Sequence, residues 1–150
     1  MAIRRRRLRV VLDTNVLVAA LLTRDSRSPN LRVYRMWGER QLQLILSDAI
    51  QDEYLALLAR LGIPATYQQR FTLRLRTRRT VTHVHPRRDL QLSRDPSDNT
   101  FLAAAVAGKA HFLVTNDLDL LDVPAPEVEA VRLRIVTPTD FLRQFGKSRP

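Results

Sequence analysis

The sequence predicts an α/β fold in which a mainly parallel sheet is covered by helices on both faces. The first observation is a β-branched run, "LRVVL" at 8–12, that leads through "DTN" into a helical pattern. The second is the alternation of strand-like and helix-like segments along most of the chain. The third is a set of helix-capping residues, such as Ser47, that directly follow such runs. Together these observations indicate repeated strand-to-helix units.

The predicted elements of the first half rest on these residue patterns. Ser47 caps one helix, which stops at Gly62 and Pro64. In chain order the elements are a strand at 8–12, a helix at 16–22, a helix at 29–40, a strand at 42–47, a helix at about 48–61, a helix in the arginine-rich stretch 65–79 and a weak strand at 80–84.

The second half holds the most specific local pattern, the "DPSD" stretch. Asp95 stands at the N-cap position, Pro96 at the first helical position and Asp98 at the third. In chain order the elements are a helix from 96 to about 107 or 108, a strand at 111–115, a short helical piece within 116–121, a strand at 134–137, and a helix capped by Thr137, Pro138 and Asp140 that ends near Gly146.

The composition predicts a single domain over residues 1–150. A chain of this size buries roughly 68–70% of its unfolded surface, which is enough for a hydrophobic core. The chain has no cysteine and only three histidines, so a disulfide framework and thiolate ligands are excluded. Any metal site must therefore be built from oxygen, which favours Mg²⁺ or Mn²⁺.

The charge is strongly basic and unevenly distributed. The formal net charge is +10, from 25 basic and 15 acidic residues. This charge fits either a soluble arginine-rich surface or a polyanionic partner. Residues 54–88 contain eight arginines, two histidines and no acid, whereas residues 89–129 contain eight acids against Arg94 and Lys109. One part of the chain could therefore hold phosphates while another collects carboxylates.

The N-terminal segment is basic and then apolar, which superficially resembles a signal peptide. Asp13 and Asn15 interrupt its apolar part, and no clear small-residue cleavage site follows. No uninterrupted apolar run approaches the ~18–20 residues needed to span a bilayer. We therefore expect a cytoplasmic protein that does not contact a membrane.

Two aspartates follow predicted strands. Asp13 comes directly after the strand at 8–12, and Asp117 follows the strand at 111–115 with one residue between. Because ligands bind outside the carboxyl ends of parallel strands, both side chains are expected at the same edge of the sheet. Each aspartate could also simply cap the helix that follows it.

Glu53 is predicted to lie on the face of its helix that enters the core. Its neighbours on the helical wheel are Ala49, Ile50, Ala56 and Leu57. A buried carboxylate without a partner destabilises the fold by roughly several kcal/mol, which is similar to the effect of removing one partner from a buried ion pair. The partner could be Arg60, in a structural salt bridge, or a cation shared with Asp13.

The two aspartates of "DPSD" have different expected roles. Asp95 is expected to cap the helix, because its oxygen is needed by the free amides of the first turn. Asp98, one turn further on, is the better candidate for a metal ligand, although it could also merely compensate the helix dipole. With Asp13, Glu53 and Asp117 it makes four acids, and carboxylate clusters that bind Mg²⁺ typically support phosphodiester cleavage.

Four blocks of the sequence resemble the PIN-domain family and, within it, the VapC-like toxins of bacterial toxin–antitoxin pairs. They occur in the family's order over roughly 8–145 and read "VVLDTNVLVAALL", "ILSDAIQDEY", "DPSDNTFLAAAVAGKAHFLVTND" and "IVTPTDFL". The sequence departs from the family in two places. "TND" stands where many relatives have glycine before the last aspartate, and the arginine-rich stretch 65–88 is not part of the family's motif.

The resemblance implies a three-layer α/β/α fold with a mainly parallel central sheet and a ribonuclease that depends on Mg²⁺ or Mn²⁺. It also implies a homodimer and an antitoxin protein as partner. By motif position, the implied metal-binding residues are Asp13, Glu53, Asp98 and Asp117. The residues implied to orient these acids or the water at the metal are Asn15 and either Thr115 or Asn116.

The leading hypothesis is a metal-dependent endoribonuclease that cleaves single-stranded or structured RNA as the toxin of a toxin–antitoxin pair. An alternative is a catalytically inactive RNA-binding module of the same fold, which would bind RNA without metal or turnover. A phosphatase of the haloacid type would need a second acid where Asn15 stands.

Aromatic residues could stack on RNA bases, but most of them are expected in the core. They are Tyr34, Trp37, Tyr54, Tyr67 and Phe71.

Overall fold

A computed structural model describes residues 7–87, 96–123 and 125–145, and the side chains at 96–98 and 125–127 lie outside this description. The described strands form one five-stranded sheet in which all neighbouring pairs are parallel. The strands are β1 (Leu8–Leu12), β2 (Leu42–Leu46), β3 (Val81–His83), β4 (Phe112–Val114) and β5 (Arg134–Val136). Their order across the sheet is β3-β2-β1-β4-β5.

Eight helices of the described residues flank this sheet and complete a three-layer α/β/α fold. They are α1 (Thr14–Leu22), α2 (Pro29–Gly38), α3 (Asp48–Arg60), α4 (Ala65–Leu75), α5 (Pro96–Ala107), α6 (Leu118–Leu121), α7 (Ala125–Ala130) and α8 (Pro138–Phe145). The fold class predicted from the sequence is confirmed.

The predicted elements agree with the structure apart from their ends and one helix. The arginine-rich helix ends at Leu75 rather than at 79, because the turn that follows is closed by hydrogen bonds from Thr80 N and Val81 N to Thr77 O. Helix α7 was not predicted. It lies in the segment "PAPEVEA". Pro126 is compatible with a helix there, because it stands in the first turn, where its missing N–H is not needed.

The hydrophobic core is built on the three central strands and the helices beside them. Residues Val10 to Leu12 of β1 and Phe112 to Val114 of β4 are buried. Trp37, Tyr54 and Phe71 are also buried and pack edge to face. The expectation that most of the aromatic residues belong to the core is therefore confirmed, with Tyr67 as an exposed exception.

The parallel pairing gives the sheet two chemically different edges. All carboxyl ends of the strands lie at one edge, which we call the C-terminal edge, and all amino ends lie at the opposite, N-terminal edge. From β1 the order proceeds to β2 and β3 on one side and to β4 and β5 on the other. The order therefore reverses between β1 and β4, and such a switch point forms a crevice where α/β proteins bind ligands.

No helix within the described ranges is long and apolar enough to cross a membrane.

Candidate active site

Asp13 and Asp117 lie at the switch point, on the C-terminal edge. Leu12 is paired with Val114 at the ends of β1 and β4, and the next residue, Asp13, donates its backbone N–H to Val114 O at 3.0 Å. Asp117 follows three residues after Val114. The prediction that both aspartates share one edge of the sheet is confirmed.

The Asp13 side chain does not act as a helix cap. Asp13 occupies the N-cap position of α1 with an extended backbone, yet its carboxylate forms no capping hydrogen bond. It accepts a hydrogen bond of 2.6 Å from the Thr115 hydroxyl instead. Only 5% of Asp13 is exposed. The geometry therefore does not support capping as the reason for an aspartate at this position.

Thr115 joins the two aspartates. Its hydroxyl donates to Asp13 Oδ2 and accepts a hydrogen bond of 2.9 Å from the backbone N–H of Asp117. Thr115 is fully buried, so this hydroxyl is held in one place. The neighbouring Asn116 is exposed and donates to Asn30 Oδ1 at 2.9 Å, which ties the start of α2 to the rim of the site.

Asp117 does act as a helix cap, as the sequence allowed. Its Oδ1 accepts a hydrogen bond of 2.9 Å from Asp119 N at the start of α6. A carboxylate has two oxygens with about four lone-pair sites, so this cap leaves room for a second role. Capping and cation binding are therefore compatible at Asp117.

Glu53 lies beside the core rather than in it. The side chains of α3 that enter the core are Ile50, Tyr54 and Leu58. Ala49 and Ala56, which were expected on the same buried face as Glu53, are exposed, and Glu53 itself is half-buried. The prediction of a core-facing Glu53 is therefore wrong, because the buried stripe follows every fourth residue and passes one position away from it.

The partner of Glu53 is a hydroxyl. Glu53 Oε1 accepts a hydrogen bond of 3.1 Å from the buried Thr14, the residue after Asp13. Arg60 is exposed, and no ion pair between Arg60 and Glu53 occurs in the described part of the chain. The structural salt bridge that the sequence left open is therefore not formed, and Glu53 is turned toward the start of α1.

Tyr54 lies beneath the site and responds to two of its acids. Its hydroxyl donates to the backbone carbonyl of Leu12. The pKa of Tyr54 is raised, mainly by burial and further by the negative charges of Asp13 and Glu53. Both carboxylates therefore lie within electrostatic reach of one buried hydroxyl. Sequence reasoning gave Thr14 and Tyr54 no role at the site, although each directly follows a candidate acid.

The pKa of Asp13 is raised above its ordinary value of 3.8. Burial is the largest cause, and the charge of Asp117 raises the pKa further. The Thr115 hydroxyl lowers it, as do the nearby amides of Asn15 and Thr14, although neither amide reaches the geometry of a capping hydrogen bond. No positively charged side chain of the described residues contributes. Asp13 is therefore a buried acid without a described cationic partner.

The remaining predicted residues are described in part. Asp98 is the third residue of α5, and α5 leads into β4, so the start of this helix lies toward the C-terminal edge. The Asp98 side chain and all of Asp95 lie outside the described residues. Asn15 is an exposed residue in the first turn of α1.

The described acids fit a hard divalent cation by chemistry. Within the described side chains, no group of three or more acidic, histidine or cysteine residues is close enough to hold a metal ion. Asp13 and Asp117 form an oxygen-only pair, and each lacks a described ion-pair partner. Carboxylate oxygens are the donors that Mg²⁺ and Mn²⁺ prefer. Asp98 belongs to a third element, α5, whose start lies toward the same edge.

Residues 9–119 match the family model of the PIN domain. The chain belongs to the PIN-domain family. The matched region includes Asp13, Glu53, Asp98 and Asp117. The match gives no support to a phosphatase of the haloacid type. PIN domains are generally metal-dependent nucleases and typically use divalent metals. No curated protein matches the chain.

Asp13→Asn should stabilise the metal-free protein at neutral pH. Because the pKa of Asp13 is higher in the folded state than its ordinary 3.8, the folded state binds the proton more tightly, and ionisation of Asp13 destabilises the fold as pH rises. Asparagine removes this charge and keeps an oxygen for Thr115. Urea unfolding in EDTA at pH 7 should give a higher free energy of unfolding for Asp13→Asn than for the wild type.

The advantage of Asp13→Asn should shrink as the pH falls through the raised pKa of the folded state, and it should disappear below 3.8, where the wild-type carboxyl is protonated in both states. If Asp13→Asn were less stable than the wild type at pH 7 in EDTA, the claim that Asp13 is a destabilising, unpaired buried charge would be wrong.

Thr115→Val should destabilise the protein, because the buried carboxylate of Asp13 loses its side-chain donor. Hydrogen bonds to charged groups contribute about 1.5–3 kcal/mol, and valine preserves the shape. Thr115→Ser is the matched control, since it keeps the hydroxyl and removes a methyl group. Urea unfolding at pH 7 should place Thr115→Ser between the wild type and Thr115→Val. Equal losses in both variants would mean that packing, rather than the hydroxyl, stabilises this position.

Proposed function

We propose that the protein is a metal-dependent endoribonuclease that uses Mg²⁺ or Mn²⁺. The observation that carries the proposal is the buried Asp13, held at the switch point of the sheet beside Asp117 without a described cation to neutralise it. A buried charge of this kind is costly unless it is paired or binds a metal. Membership of the PIN-domain family supports a nuclease that acts through such a metal.

The residues that would hold the metal are Asp13, Glu53, Asp98 and Asp117. When bound, the ion would neutralise phosphate charge and activate water for phosphodiester hydrolysis. Thr115 orients Asp13 through its hydroxyl, and Thr14 orients Glu53.

Two further hydrogen bonds position the backbone and the rim of the site. Tyr54 holds the end of β1 through the carbonyl of Leu12. Asn116 donates a hydrogen bond to Asn30 and is exposed at the rim, where its side-chain oxygen can accept a hydrogen bond from the substrate.

RNA is the proposed substrate. The net charge of +10 favours a polyanion, and the choice of RNA follows the resemblance of the sequence blocks to VapC-like ribonucleases. Both single-stranded and structured RNA remain part of the proposal. The same resemblance supports a toxin role in the cytoplasm, a homodimer, and inhibition by an antitoxin protein.

A catalytically inactive RNA-binding module is the second candidate. The net charge of +10 supports it, because a basic surface favours RNA whether or not the acids bind a metal. It would bind RNA with strong salt dependence, without need of a metal and without turnover.

Cleavage of a labelled single-stranded RNA by the purified protein, in Mn²⁺, Mg²⁺ or EDTA, separates the two candidates. We expect cutting with either metal, none in EDTA, and none with Asp13→Asn or Asp98→Asn, because each removes a metal-binding carboxylate. Asp52→Asn is the matched control, since Asp52 is an exposed acid next to Glu53. Metal-independent binding without cutting, by folded protein, would support the inactive module, and an active Asp13→Asn protein would refute the proposed site.

A further inference from the structure

Cations from five separate segments of the chain collect at the N-terminal edge of the sheet. Each of them lies just before a strand or in its first residues. We call this group the basic edge, and it consists of Arg7, Arg9, Arg40, Arg78, Arg79, Lys109, Arg132 and Arg134. Arg7 and Arg9 are half-buried and the others are exposed. The sequence shows these residues as scattered charges, and only the strand order brings them together.

Hydrogen bonds show that the basic edge is continuous across the sheet. The Arg7 guanidinium donates to the carbonyl of Arg79, which joins β1 to the start of β3. Arg9 Nε donates to Lys109 O at 3.0 Å, which joins β1 to the start of β4. Arg134 N donates to His111 O at 3.1 Å and continues the row to β5. With strands about 4.8 Å apart, the row is roughly 19 Å long.

Three of these cations have a backbone conformation that favours glycine. Arg40, Lys109 and Arg132 have φ values of 62°, 50° and 57°, and they are all of the non-glycine residues with positive φ in the described ranges. They follow α2, α5 and α7 at the turn where a helix ends and glycine is usual. Gly62, with φ 68°, adopts the same conformation after α3. Three basic side chains therefore stand where glycine would be less strained.

Within the described residues, no ion pair neutralises the cations of the basic edge. Glu39 and Glu129 are the nearest acids in sequence to Arg40 and Arg132, and Glu39 accepts its side-chain hydrogen bond from Gln41. His111 adds no charge, because its Nδ1 accepts the backbone N–H of Arg9 and burial lowers its pKa.

We propose that the basic edge binds the phosphate backbone of a structured RNA, on the side of the sheet opposite the candidate active site. This proposal rests on the proposed ribonuclease function and names a second RNA contact. Arginine suits phosphate because its planar fork bonds two oxygens at once. The strands have three to five residues, which separates the edges by roughly 10–17 Å. A folded RNA can span this distance, whereas a short strand in the active site does not need to.

A membrane surface is disfavoured as the partner of the basic edge, because no exposed large apolar side chain of the described residues belongs to this edge. The exposed large apolar side chains of the described residues are Leu22, Leu61, Tyr67, Leu73 and Leu118. None of them belongs to the basic edge, whereas surface-binding helices insert such side chains into the lipid boundary.

The test uses the triple variant Arg40→Gly, Lys109→Gly and Arg132→Gly, because glycine removes the charges and suits the left-handed backbone. Binding to an RNA hairpin of about 16 base pairs is measured in EDTA over a range of salt concentrations. The matched control is Arg32→Gln, Arg60→Gln and Arg70→Gln, which removes three exposed arginines from helices α2, α3 and α4. The triple glycine variant should bind more weakly, and its slope of log affinity against log salt should be less steep by about two to three.

The melting temperature of the triple glycine variant should stay equal to that of the wild type or rise. Unchanged RNA affinity with a lower melting temperature would overturn the proposal, because the cations would then only compensate helix dipoles. An equal loss of affinity in the control would also overturn it, since net charge alone would explain binding. Preferential binding to vesicles that contain phosphatidylserine, lost in the triple glycine variant, would assign the edge to membranes instead.

The outcome is separable from that of the proposed function. Binding in EDTA does not require cleavage, so a protein without nuclease activity can still show the predicted salt dependence. The triple glycine variant should also cleave a short single-stranded RNA at the wild-type rate with Mn²⁺, because its substitutions lie on the edge opposite the acids.

Discussion

The candidate site depends on the parallel pairing of β1 with β4. This pairing places Leu12 opposite Val114, so the residues that follow each strand emerge side by side at the switch point of the sheet. Thr115 then uses its hydroxyl to join Asp13 to the backbone of Asp117. Without this pairing, the two aspartates would lie apart, because they stand at positions 13 and 117 of the chain. With it, they share one local electrostatic field.

The site is destabilising in a way that suits cation binding. The Asp13 carboxyl is buried, its pKa is raised, and the neighbouring charge of Asp117 adds to the penalty. The charges of Asp13 and Glu53 both raise the pKa of the buried Tyr54 hydroxyl. Charge concentrated in this way at functional sites commonly lowers the stability of the fold. A divalent cation would relieve this repulsion, which links the acids to the metal dependence that is general in the PIN-domain family.

Local patterns were sufficient to predict most of the fold. β-branched runs located the strands, and residues such as Ser47 and Thr137 were correctly identified as caps, since each accepts the backbone hydrogen bond expected of it. The common edge of Asp13 and Asp117 followed from their positions after two parallel strands. Helix α7 is not predicted because its proline-containing segment shows no helical periodicity. The face of α3 that carries Glu53 is predicted wrongly because apolar neighbours on a helical wheel do not show which side of the helix is buried.

Long-range contacts could not be predicted from the chain alone. The pairing of Thr14 with Glu53 and of Asn116 with Asn30 depends on how α1, α2 and α3 pack. The basic edge depends on strand order, and nothing in the sequence marks Arg40, Lys109 or Arg132 as left-handed residues. The uneven charge along the chain did not reveal the basic edge, because only Arg78 and Arg79 of its residues belong to the arginine-rich stretch. The structure places Asp13 and Asp117 at the C-terminal edge and the basic edge at the opposite ends of the strands.

Calorimetric titration of Mn²⁺ into the metal-free protein, beside Asp13→Asn and Asp117→Asn, tests most directly whether these acids form a metal site. We expect saturable binding to the wild type that is lost or strongly weakened in both variants, because the two carboxylates act on the same ion. Binding of equal strength in all three proteins, or no binding to the folded wild type, would show that these acids do not form a metal site.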